Sequence, residues 1–80
     1  MTQEQLYRQI ADFTGDKKDA RRKAKIFAEN CRVYMREVIE VKLSFGRYSD
    51  GLKYFGENRD TLNFDYIDNE GDSHHFAIIE

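Results

Sequence analysis

Apolar residues follow two different rhythms along this 80-residue chain, and the rhythm changes near Glu37. Before that point Leu6, Ile10 and Phe13 recur at helical spacing, with Tyr7 and Ala11 widening the same face. Ala20, Ala24, Phe27, Cys31 and Tyr34 make a second helical stripe. After it Ile39, Val41, Leu43 and Phe45 alternate with Glu40, Lys42 and Ser44, the period of a strand with one buried face. Leu62, Phe64 and Tyr66 repeat that alternation, and His74, Phe76 and Ile78 repeat it again against His75, Ala77 and Ile79.

Punctuation sets the boundaries. Thr2 and Gln5 form a capping box in which each side chain satisfies a free amide at a helix start, and Gly15 stops that helix. Asp16 is the natural N-cap of the next, with Asp19 favouring the dipole of its first turn. The small residues Ala20, Ala24 and Ala28 let the first helix return close against the second. Ser49-Asp50-Gly51 is a hairpin turn followed by a short return strand, Gly56 to Asp60 is another turn, and Asp68 to Asp72 breaks the pattern once more. The spacing predicts helices over about 3–14 and 17–36 and strands over about 38–48, 52–55, 61–67 and 74–79. Helices segregated from strands mean one α+β domain over 1–80, an N-terminal helical hairpin packed on one face of a three- or four-stranded antiparallel meander.

Charge is sorted along the chain. Lys17, Lys18, Arg21, Arg22, Lys23 and Lys25 face one acid, Asp19, whereas the stretch from Asp50 to Glu80 holds eight acids against Lys53 and Arg59. Continued at helical spacing, Lys18, Arg22, Lys25, Arg32 and Arg36 make a basic ridge opposite the Ala20, Ala24, Phe27 stripe. Such a ridge suits phosphates, and Lys18, Arg21, Arg22, Lys25 and Arg32 are its candidate nucleic-acid contacts. Its bland counterpart is a solvated helix face. The formal net charge of -2 opposes a general nucleic-acid coat.

The acids Asp65, Asp68, Glu70 and Asp72 offer a docking surface for a basic partner, or simply a polar hairpin that keeps an edge strand from aggregating. They do not make a calcium loop, because Tyr66 and Ala77 would occupy its first and twelfth positions. Tyr48, Tyr54 and Phe55 cluster around Asp50-Gly51 beside Arg47 and Lys53, and alternation cannot bury all three aromatics. This turn is the second candidate protein contact.

Reactive groups are sparse. His74 and His75 are adjacent, so on a strand they face opposite ways and cannot share a metal from one side. His75 with Asp65 is the one conceivable acid-base pair. Cys31, the single cysteine, lies in an apolar stripe and reads as a small core residue. No phosphate-binding glycine loop, nucleophile elbow, zinc-protease motif or paired CxxC occurs. No cofactor or metal is expected.

The expectation is therefore a small non-catalytic binding or regulatory module, inhibitor-like or adaptor-like. Its partner is a larger protein or protein–nucleic acid complex, with nucleic-acid binding through the second helix as the alternative. No apolar run approaches a membrane span of about 20 residues, so no membrane partner is expected and the cytoplasm is the expected compartment. An unpaired edge strand, or an outer face carrying Phe55, Ile67, Ala77 and Ile79, also leaves room for a homodimer.

Overall fold

A computed structural model describes residues 1–49 and 58–79, with the side chains of 48, 49, 58 and 59 left out of the description. Two helices, α1 (Gln3–Thr14) and α2 (Lys17–Asn30), pack on a three-stranded antiparallel sheet of β1 (Val38–Ser49), β2 (Asn58–Asp68) and β3 (Ser73–Ile79) in the order β1-β2-β3. This is the expected α+β architecture with an N-terminal helical hairpin. The return strand expected over 52–55 lies outside the described residues.

Local chemistry sets the helix starts as expected. The Gln5 amide donates to the Thr2 hydroxyl while the Thr2 amide donates to Gln5 Oε1, and Asp16 accepts from the Asp19 amide at 3.0 Å. Gly15 closes α1 at φ 75°, a left-handed value at which a side chain is strained. From there the chain doubles back into α2.

Helix α2 ends at Asn30, not near residue 36. The Asn30 side chain donates to the Ile26 carbonyl, Cys31 turns extended, and the Arg32 amide donates to the Tyr66 hydroxyl at 3.2 Å. A sheet residue thus captures the backbone just beyond the last helical turn. The helical stripe expected to run through Cys31 and Tyr34 fails accordingly: Cys31 is half-buried, and Tyr34 is 66% exposed ahead of a short 3-10 turn, Met35–Glu37.

The core lies between the helices and the inner sheet face. Leu6, Ile10, Ala11, Ala20, Ala24 and Phe27 from the helices meet Val38, Val41, Leu62, Phe64, Tyr66 and Ile78. Cross-strand ranks Val41–Tyr66–His74 and Leu43–Phe64–Phe76 align the inward residues. A register shift between Val38 and Glu40 makes a bulge, so Val38 points in while Ile39 is 64% exposed. Ile39 was expected among the inward set. Phe13 and Phe45, also expected in the core, stack on each other at its rim with ring centroids 4.7 Å apart.

Candidate functional site

Because both helices lie on one side of the sheet, the basic and acidic segments end up on different layers. On α2, Lys18, Arg22 and Lys25 lie opposite the buried Ala20, Ala24 and Phe27, but the ridge stops there. Lys18 and Lys25 are seven residues apart, about 10 Å. Arg32 and Arg36 leave it for the loop and the 3-10 turn, where the Arg36 guanidinium sits 4.4 Å over the Tyr34 ring.

Much of the remaining cationic charge is compensated within the helices. Arg21 donates to Glu4 at 3.1 Å and lies 4.0 Å over the Tyr7 ring. Glu4 accordingly raises its pKa above the ordinary guanidinium value. Asp19 accepts from Arg22 and from Lys23, each at 2.8 Å, and Lys23 is buried. Those two cations, Arg22 first, hold the Asp19 carboxyl below its usual range. Lys17, Lys18 and Lys25 are exposed and make no ion pair among the described residues.

At the acidic end the four carboxylates separate by role. Asp68 is only 5% exposed: its Oδ1 accepts from the Glu70 and Asp72 amides at 2.8 and 3.0 Å, and its Oδ2 lies 2.8 Å from His74 Nε2. His74, foremost among these partners, keeps the carboxyl below its ordinary value. The His74 ring also stacks on Tyr66, whose phenol is pushed up chiefly by burial. Asp68 therefore ties the β2–β3 turn from within, and the expectation that it meets a partner is corrected. Glu70 and Asp72 stay exposed without an ion pair among the described residues.

Around Lys42, Asp65 and His75 the outer sheet face is polar and exposed. Lys42, Asp65 and His75 stand in one rank across the three strands, with His75 Nδ1 2.8 Å from Asp65 Oδ1. The acid-base pair considered from sequence is thus formed, yet both side chains are more than half exposed. Beside it a shallow depression of about 290 Å³ is lined by Glu40, Lys42, Asp65, Ile67, Ser73 and parts of Tyr66 and His74. Glu40 joins the acidic end through its pairing with Ile67, which itself faces Ser73. Sequence reading passed over Glu40, since only register reveals that neighbourhood. A wider depression of about 540 Å³ borders the loop after α2, with Cys31, Val33 and Met35 among its walls.

Tyr48 pairs with Arg59 and Val38 with Asp68, so the backbone of Tyr48 and the acidic turn lie at opposite ends of the sheet, about 30 Å apart. Tyr54 and Phe55 lie outside the described residues, and of Tyr48 only the backbone is described. Arg47 is paired with Asp60 at 3.4 Å.

Among the described residues no group of three or more His, Cys, Asp or Glu side chains is placed to hold a metal ion, and no helix is long and apolar enough to cross a membrane. No protein-family model matches this chain, and comparison with curated proteins and with solved structures likewise finds no match.

Proposed function

We propose that this protein is a small non-catalytic binding or regulatory module that docks on a larger macromolecule through the acidic end of its open sheet face. One observation carries the proposal: Glu70 and Asp72 stand exposed and unpaired among the described residues on a turn that Asp68 holds rigid from inside. Glu40 and Asp65 extend the same negative surface across the neighbouring depression. Preset carboxylates on a braced turn lose little freedom on binding. They also speed encounter with a Lys- or Arg-rich surface. The His75–Asp65 pair supports catalysis poorly, because an exposed pair works in water and its electrostatics are screened.

The test is the triple charge reversal Asp65→Lys, Glu70→Lys, Asp72→Lys, with Asp68 left intact to keep the turn. The wild-type chain is expected to retain a basic partner from its native host that the variant loses, with both showing the same thermal midpoint. Equal capture of that partner by the folded variant refutes the acidic contact.

Nucleic-acid binding through α2 is the second reading, favoured by the exposed, unpaired Lys17, Lys18 and Lys25. If these three alone neutralise phosphates on duplex DNA, log affinity falls against log salt with a slope of about -3. A gel shift at two salt concentrations reads that slope, and absence of retardation at low salt removes the reading.

A further inference from the structure

The two edges of this sheet are treated very differently. Along β1 the outer edge is guarded: the Met1 nitrogen donates to the Val38 carbonyl at 2.8 Å, and Gln9 Nε2 donates to the Val41 carbonyl at 2.5 Å. The strand also carries a bulge next to Ile39, and the charged residues Glu40, Lys42 and Arg47. These are the devices by which proteins keep an edge from recruiting another strand. On β3 none of them is present. Ser73–Ile79 has no proline, lysine, arginine or acid, and its register with β2 runs unbroken from Ile67↔Ser73 to Thr61↔Ile79. Among the described residues no further strand and no side-chain hydrogen bond reaches its outer edge.

We propose that two copies of this chain pair antiparallel along β3, joining their sheets into one six-stranded sheet about a two-fold axis near Phe76 and Ala77. A second copy is the fitting occupant because an antiparallel edge turned about a two-fold axis presents its own complement: amides meet carbonyls in both directions. Charge does not oppose it. The strand's two titratable side chains, His74 and His75, are each engaged by an aspartate of their own chain, Asp68 and Asp65. With the axis at Ala77 the apolar Ile79 of each copy stands opposite His75 of the other, and among the described residues of the strand no acid meets an acid. The assembly also closes, since each chain brings one unguarded edge and the guarded β1 edge cannot propagate a filament. The dimer stands apart from the docking proposal, because the acidic turn and the outer sheet face stay open in it.

Sedimentation velocity on the intact chain from about 1 μM to about 500 μM spans the affinities of such edge pairing. The mass is expected to climb from 9.5 kDa towards twice that value. The double substitution Ala77→Lys, Ile79→Lys sets like charges along the joint and is expected to raise the dissociation constant at least about tenfold. Amide exchange on the unmodified protein gives a second reading that needs no variant: protection of residues 73–79 should rise with protein concentration while that of β1 stays fixed. A chain that stays monomeric throughout overturns the proposal, an outcome that would leave β3 to a strand from another protein. So does a dimer indifferent to both lysines whose concentration-dependent protection falls outside β3.

Discussion

Replacing Phe27 by alanine tests the packing on which every surface described above depends. Phe27 is fully buried on α2, and its ring meets Phe64 at 5.0 Å, Tyr66 edge-on at 4.9 Å and Phe76 at 6.0 Å. It is the joint between the helical layer and two strands. Truncating a buried phenylalanine costs about 3–5 kcal/mol through lost transfer energy and the cavity left behind. Domains of this size have a total stability of about 4–12 kcal/mol, so F27A removes about a quarter of it or more. At about 4–8 °C per kcal/mol the thermal midpoint should fall by about 12–40 °C. Urea titration followed by far-ultraviolet circular dichroism measures the loss directly, with an unchanged slope showing that the unfolded state is the same. Phe13→Ala is the internal control: it also removes one partner of a close ring pair, but Phe13 is 41% and Phe45 65% exposed. That variant should cost less than about 1.5 kcal/mol, since Phe13 and the ring it stacks on are both partly in water already. Equal losses for the two variants, or less than about 1.5 kcal/mol for F27A, would show that the layers are not joined at Phe27.

Acid should destabilise the fold through Asp68 and Asp19. Both carboxyls are held below their usual value in the folded state, so their stabilising contribution is present above the ordinary carboxylate pKa of about 3.9 and is lost as pH falls through the lowered value. Urea midpoints from neutral pH downward should drop there, and Asp68→Asn should flatten that acid limb while speeding amide exchange at Glu70 and Asp72; an unchanged limb would mean that Asp68 is not tied as described. Gly71 sits at φ 85° in the same turn, so Gly71→Ala should cost about 1–2 kcal/mol by the same titration, and a neutral result would place the turn in another conformation.

How far the sequence foretold this fold depends on whether the deciding interaction was local. Thr2, Gln5, Asp16 and Gly15 act within four residues, and so the start of both helices and the end of α1 were readable. Alternation likewise marked three strands, because burying one sheet face imposes a period of two. The end of α2 was not readable, since the Tyr66 hydroxyl that takes the Arg32 amide lies 34 residues away. The bulge that turns Ile39 outward was hidden for a similar reason: Val38 and Ile39 are both apolar and β-branched, and only pairing with β2 chooses between them. Four acids near one turn also look alike in sequence. His74, six residues on, selects Asp68 as the one drawn inward.

That selection bears on how charge along a chain becomes a field around a fold. The six bases between Lys17 and Lys25 suggest a strong positive surface, yet Glu4 and Asp19 engage Arg21, Arg22 and Lys23, leaving the three lysines 17, 18 and 25 unpaired among the described residues. The acids undergo a comparable sorting, with Asp68 buried and Asp65 beside His75. What survives lies on opposite layers: lysines on the helical side, Glu40, Glu70 and Asp72 on the sheet and its turn. Two screened patches of opposite sign on opposite sides orient an approaching charged surface more than they strengthen its final grip, since exposed pairs contribute about 1 kcal/mol or less each. Charge reversal at Glu70 and Asp72 should therefore slow association, and show more strongly at low salt, while dissociation changes little.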